Sequence, residues 1–180
     1  MSANQLAKLN FARAQYADAA EIAQLVNSAY RGDSSRAGWT TEADLLGGVR
    51  TSLEDIQKLI SDGNEYLLTL RQASELLGCC AISQYSSTDA YIGMVTVRPN
   101  LQGQQLGRQL LEAAEQVAAS HFNASYGRMT VISVRHELIA WYQRRGYEDT
   151  SERNPFPMSD PRFGLPKVSH LEFIVMRKKL

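Results

Sequence analysis

Apolar positions along the chain fall into two periods, and the switches between them mark the elements. Leu9, Phe11 and Arg13 alternate with small or polar residues, which predicts a short strand. Ile22, Leu25, Val26 and Ala29 repeat at helical spacing, so residues 18–30 read as an amphipathic helix. Residues 31–38 are polar and glycine-bearing, a loop. Thr41-Glu-Ala-Asp44 has the spacing of a helix-opening cap ahead of Leu45, Leu46 and Val49, and Ser52-Leu-Glu-Asp55 repeats it ahead of Ile56, Leu59 and Ile60. Two short helices in succession are expected there. Asp62-Gly-Asn64 is a turn. Residues 66–70 and 76–82 are apolar runs of strand length with the look of a hairpin, Asp89 marks a break, and residues 91–97 form a further strand stopped by Pro99.

The second half begins with a strong helix after Gly107, in which Leu106, Leu110, Ala114, Val117 and His121 share a face. Residues 129–134 are rich in β-branched side chains and predict a strand. Residues 136–145 read as a helix ended by Gly146, and Tyr147 starts another extended piece. Residues 154–167 hold four of the five prolines and read as a long loop of the kind that serves as a lid or binding loop. Leu171, Phe173 and Val175 alternate in a last strand. Without internal repeats, low-complexity tracts or linkers, the pattern describes one α/β domain over residues 1–180 with a mixed sheet.

Composition narrows the class. Hydrophobic residues make up 44% and charged residues 21% of the 180, near the globular average. Acidic and basic residues balance at 19 each, which argues against a protein built to hold nucleic acid. No apolar run approaches the roughly 20 residues that cross a bilayer, and residues 1–9 carry no secretory-signal stretch. No membrane partner is expected. The two cysteines, Cys79 and Cys80, are neighbours whose side chains point to opposite faces of a strand, so they read as buried small apolar residues, not as a disulfide. No Cys/His spacing suggests zinc, and no metal is expected. A cytoplasmic setting fits best. The basic runs Arg144-Arg145 and Arg177-Lys-Lys179 read as solvated charge.

The chemistry sits in Val95-Thr-Val-Arg-Pro-Asn-Leu-Gln-Gly-Gln-Gln-Leu-Gly-Arg108. A strand ends, a short loop follows, and a long helix begins. The first turn of a helix has N–H groups without internal partners, and its dipole favours negative charge. Gly103 and Gly107 let a ligand approach the backbone, and Arg108 can add a charged contact. The loop is thus a candidate anion site for phosphates. It is neither a nucleotide P-loop nor a dinucleotide fingerprint, because no Gly-Lys-Ser/Thr follows and the glycine spacing differs.

Gln102-Gly-Gln-Gln-Leu-Gly107 resembles the signature of the GNAT superfamily of N-acetyltransferases, and Val95-Thr-Val-Arg-Pro99 is similar to the family's fourth strand. Gln105 departs from it, standing where the family carries glycine or alanine. Trp141-Tyr-Gln-Arg-Arg-Gly-Tyr147 resembles the family's aromatic-Tyr-x-x-x-Gly-aromatic element, and the order of elements is similar over nearly the whole chain. The resemblance implies a mixed, mostly antiparallel central sheet of six to seven strands flanked by helices. It implies acetyl-CoA as acyl donor, held by Val95, Thr96, Val97, Gln102, Gly103, Gln104, Gln105, Leu106, Gly107 and Arg108. The acetyl group would move directly to a primary amine of a small molecule or peptide. Tyr142 matches the family tyrosine beside the coenzyme sulfur and is the expected acid.

For the base, Glu42 is the candidate, with Asp44 beside it. Tyr91 is a poor base near pH 7, and His136 and His170 are more often capping or surface residues. Trp39 and Phe156 are candidates to wall the acceptor site. Two further readings remain open: a regulatory module that binds acetyl-CoA without turnover, and a transferase for a longer acyl group. A homodimer is the default oligomer.

Overall fold

The computed structural model describes residues 8–160 and 163–180; residues 1–7 of the expected domain and 161–162 of the expected long loop lie outside it. The strands are β1 (Leu9–Arg13), β2 (Leu46–Gly47), β3 (Glu65–Gln72), β4 (Glu75–Gln84), β5 (Asp89–Val97), β6 (Tyr126–Ile132), β7 (Glu148–Pro155), β8 (Leu165–Pro166) and β9 (Glu172–Lys179). The helices are α1 (Ala19–Tyr30), α2 (Leu53–Ser61), α3 (Leu106–His121) and α4 (His136–Gln143). Seven strands form one sheet in the order β1-β3-β4-β5-β6-β9-β7, while β2 and β8 pair separately. The sheet is mixed and mostly antiparallel, as the sequence implies, because only β5 and β6 run parallel.

Two-residue alternation sorts the core into layers. Leu67 and Cys79 pack with Ile22, Val26 and Ile56 of α1 and α2, whereas Leu68, Cys80 and Ile82 pack with Leu110, Leu111 and Ala114 of α3 on the other face. The adjacent cysteines are therefore buried on opposite sides and free. The expected cap at Ser52 opens α2 as a reciprocal box, in which Ser52 Oγ accepts from the Asp55 N–H (3.0 Å) and Asp55 Oδ2 accepts from the Ser52 N–H (3.1 Å).

Its counterpart at Thr41 opens no helix. Thr41 Oγ1 accepts from the Ala43 N–H (3.2 Å), the chain makes one turn, and β2 then pairs with β8. Gly47 and Gly48, the latter at φ 77°, favour that exit over continued helix. Leu46 is held instead in a small cluster with Ile132, Phe156 and Leu171.

The sheet parts in its middle. β5 and β6 pair only at Asp89–Tyr126, Ala90–Gly127 and Tyr91–Arg128, then diverge. The closed end is locked. Asp89, expected as a break, is the buried first residue of β5, and its two carboxylate oxygens accept from Arg177 Nε and Nη2 of β9, both at 2.8 Å. That fork of hydrogen bonds, with Thr88, holds the Asp89 carboxyl below the usual aspartate range. At the open end β5 bulges: the register against β4 shifts, and Met94 takes φ 53°. The Tyr30 hydroxyl, from the end of α1, donates to the Val95 carbonyl at 2.7 Å and pins the bulge.

Gln105, the residue before α3, is left-handed at φ 63°, ψ 1°. This suits the glycine of the resembled motif, since any Cβ there is strained. Gln105→Gly should raise stability by about 1 kcal/mol, and Gln105→Val should lower it, both read as shifts in urea midpoint at constant slope. A lower midpoint for the glycine variant would contradict this geometry.

Burial also sets an alkaline limit. It pushes Tyr30 and Cys79 up to about 12, and raises Cys80, Tyr142 and Tyr147 as well. Unfolded, cysteine ionises near 8.5 and tyrosine near 10, so above about pH 8.5 the unfolded chain holds fewer protons than the folded one. Stability should fall as pH rises from about 8.5 toward 12. A midpoint that rises between pH 9 and 11 would refute the assignment.

Candidate functional site

The gap between β5 and β6 opens two connected chambers. The first lies beside the loop into α3. Arg98 donates its N–H to Leu77 of β4 at 2.8 Å, and antiparallel alternation then turns the Val97 N–H and C=O away from β4, toward the gap. The chain continues through a single turn, Pro99–Leu101, before reaching α3. The Gln109 N–H bonds back to the Gln105 carbonyl at 3.1 Å, while the N–H groups of Gln105, Leu106, Gly107 and Arg108 have no acceptor among the described residues. Those donors and the helix dipole make a seat for an anion.

Gln102 joins this loop to another. Its Oε1 accepts from the Trp39 N–H (2.9 Å), and its Nε2 donates to Thr40 Oγ1 (2.8 Å) and to the Val97 carbonyl (3.1 Å). Gly38 is required for the fit, because a Cβ there would lie 2.6 Å from Gln102 Oε1. This first chamber, about 220 Å³, is walled by Val95 and Val97 on one side and by Leu138, Trp141 and Tyr142 of α4 on the other. Gly107 lies against Trp141 of α4, where a Cβ would make ordinary contact at 3.4 Å. Trp39 faces Trp141 at 6.2 Å between ring centroids. Arg145 lies over the Trp141 ring at 3.5 Å, and its Nε is buried without a partner. Burial, then the neighbouring Arg144 and Arg108, lowers the Arg145 pKa.

The second chamber, about 140 Å³, lies deeper and shares Val95, Leu138 and Tyr142 with the first. Its polar wall is a buried network. Glu42 Oε1 accepts from Arg135 Nη1 at 2.8 Å, and Oε2 pairs with Arg31 Nη1. Arg135, at the start of α4, also donates to the Thr40 carbonyl. Tyr91 shares a hydrogen bond with Thr130 at 2.8 Å, and Phe156 closes the far side against Phe173 at 5.2 Å. Tyr142 stands at the junction, 7% exposed, and burial drives its hydroxyl pKa well upward.

Several expected residues land elsewhere. Thr96 does not line the gap: it pairs with Cys79 of β4 and turns its hydroxyl to the Met94 carbonyl (2.9 Å). Leu106 contributes backbone only, its side chain being buried in the core, and Gln104 is exposed away from the chamber walls. Trp39 walls the first chamber, not the second. Glu42 does line the second chamber, but both its oxygens are engaged by guanidinium groups, which leaves it poorly placed to take a proton. His136 and His170 line neither chamber.

Residues that sequence reasoning missed include Tyr30, Arg31, Arg50, Arg135 and Arg145. Isolated arginines in polar loops carry no periodic signal, and Arg145 was read as solvent-facing charge. Of the basic run near the C-terminus, Arg177 and Lys178 are ion-paired, to Asp89 and Glu115. Among the described residues no His, Cys, Asp and Glu cluster could hold a metal ion, and no helix is long and apolar enough to cross a membrane.

Comparison with known proteins agrees with this geometry. Residues 19–147 match the profile described as acetyltransferase (GNAT) family. No curated protein sequence matches significantly. The fold is similar to that of a GNAT-family acetyltransferase from Streptococcus pneumoniae, with 17% identity, 96% of this chain and 100% of that one covered, and a TM-score of 0.67. It is equally similar to yncA from Salmonella typhimurium, solved with its cofactor acetyl-CoA (17% identity, 96% and 94% covered, TM-score 0.68). A mutant of spermidine N-acetyltransferase SpeG from Vibrio cholerae is a further neighbour (14% identity, 95% and 93% covered, TM-score 0.68). With the profile spanning most of the chain and the parted sheet, anion loop and junction tyrosine in place, the protein belongs to the GNAT acetyltransferase family and is an acyltransferase.

Proposed function

We propose that the first chamber binds acetyl-CoA and that the acetyl group passes directly to a primary amine held in the second. The observation that carries this reading is the junction: the two chambers meet at Val95, Leu138 and Tyr142, and nowhere else do their walls coincide. The free N–H groups of residues 105–108 suit the pyrophosphate, with Gly103 alongside. The Val97 N–H suits the pantetheine arm. The Salmonella neighbour, which carries acetyl-CoA, supports the same use of the fold. Buried, unpaired Cys79 and Cys80 fit a reducing cytoplasm.

Tyr142 acts as a hydrogen-bond donor to the departing sulfur. Its raised pKa means that it holds its proton at any working pH, so it stabilises thiolate charge without surrendering a proton outright. The amine nitrogen forms the new C–N bond as the C–S bond breaks, and the amine proton leaves to solvent. No uncommitted carboxylate faces the junction among the described residues, so the acceptor must arrive as the free amine. Glu42 is a positioning residue, which holds Arg31, Arg135 and the Thr40 loop in place.

A regulatory reading, binding without turnover, draws on the same lack of a base and on strained Gln105. Release of free thiol from acetyl-CoA across an amine panel separates the two. Tyr142→Phe should lower kcat by about 10²-fold with little change in KM for acetyl-CoA. The rate should climb with pH toward the acceptor's own amine pKa, with no inflection in the carboxylate range. Binding of acetyl-CoA without thiol release would favour the regulatory module, and an unchanged kcat would remove Tyr142 from the chemistry.

A further inference from the structure

The charge of the acceptor chamber is unbalanced. Arg31, Arg50 and Arg135 line it against a single carboxylate, Glu42. Glu42 is spent on Arg31 and Arg135. Arg50 is left over: among the described residues its guanidinium has no ion pair or hydrogen bond, and its one contact is the Tyr30 ring, 5.8 Å from guanidinium carbon to centroid. A second observation points the same way. Arg31 is 5% exposed, and its Nε is buried without a partner. A chamber with surplus, partly desolvated guanidinium groups repels cations and favours a planar anion that can take two parallel N–H donors.

Resting on the acetyl-transfer reading, we propose that the acceptor is an amine that also carries a carboxylate, of the amino-acid class, and that Arg50 receives that carboxylate. The carboxylate lies near the amine, because the field changes sign outward. Beyond Arg50 the adjoining depression is edged by Asp55, Asp62 and Glu65, with Lys58 the only other cation on it. Asp55 and Asp62 already accept backbone N–H groups, and the Glu65 pKa is raised by burial and by Asp62. That rim opposes a second, distal carboxylate. A polyamine, the acceptor of the Vibrio cholerae neighbour, would place its extra cations against Arg50 and Arg135.

The test uses matched acceptors on the intact chain: phenylalanine against phenethylamine and phenylalanine methyl ester, β-alanine against ethylamine, aminomethylphosphonate, and spermidine. The expected result is a kcat/KM at least about tenfold higher for each amino acid than for its carboxylate-free partner, the factor that one charge-assisted hydrogen bond supplies. Arg50→Gln should collapse that ratio toward unity by raising the KM of the acid, and Arg50→Lys should restore part of it. Preference for aminomethylphosphonate over every carboxylate, preference for spermidine or the neutral amines, or an unchanged ratio in Arg50→Gln would each overturn the assignment while leaving acetyl transfer intact.

Calorimetry gives a readout free of turnover. N-acetylphenylalanine should bind the wild type more tightly than N-acetylphenethylamine, and Arg50→Gln should abolish the difference. Equal binding of the two would also overturn it.

Discussion

One hydrogen bond, from the Tyr30 hydroxyl to the Val95 carbonyl, holds β5 in the stretch where it has parted from β6. A parallel pair that parts mid-sheet exposes backbone groups which would be costly to bury without partners. The fold resolves this at both ends of the gap. Asp89, buried, and the half-buried Arg177 close one end with a two-pronged ion pair. At the other, the bulge at Met94 re-aims the strand, and Tyr30 takes up a carbonyl that β6 no longer reaches. The Val97 N–H is then turned into the gap, and its carbonyl accepts from Gln102. The opening thus lies between two polar contacts, one at each end of the gap.

The same economy links the loops around the gap. Gln102 fastens the anion loop to Trp39 and Thr40, and Thr40 in turn is tied through its carbonyl to Arg135. Arg135 meets Glu42, and Glu42 meets Arg31 at the end of α1. The loop into α3, the Thr40 loop and α4 thus share one chain of hydrogen bonds. Removing one member of so buried a network leaves another charge uncompensated, which costs far more than the pair itself contributes. Gln102 and Glu42 each tie together separate walls of the gap.

Most of this architecture was legible in residue order. The alternating and helical periods located all four helices and the main strands, and the anion loop with Tyr142 downstream pointed to the family. The Thr41 cap misled because capping chemistry is local, whereas the fate of Leu46 was decided by Ile132, Phe156 and Leu171, distant in sequence. The place of Trp39 beside the anion loop is hidden from sequence for the same reason: it depends on a glutamine sixty-three positions away. Arg31, Arg50 and Arg135 gave no signal, since a charged residue in a loop looks alike whether it faces water or a cavity. Gln105 was visible as an exception to a motif, but its cause, a left-handed backbone, appears only in the fold.

The central claim is that the parted strands seat the coenzyme with its sulfur at the junction of the two chambers. A crystal structure of the protein with CoA tests it most directly. The account predicts pyrophosphate oxygens within about 3 Å of the N–H groups of residues 105–108, and the sulfur against the Tyr142 hydroxyl. CoA bound outside the gap, or a loop filled by the Gln105 side chain with the pyrophosphate displaced, would contradict it.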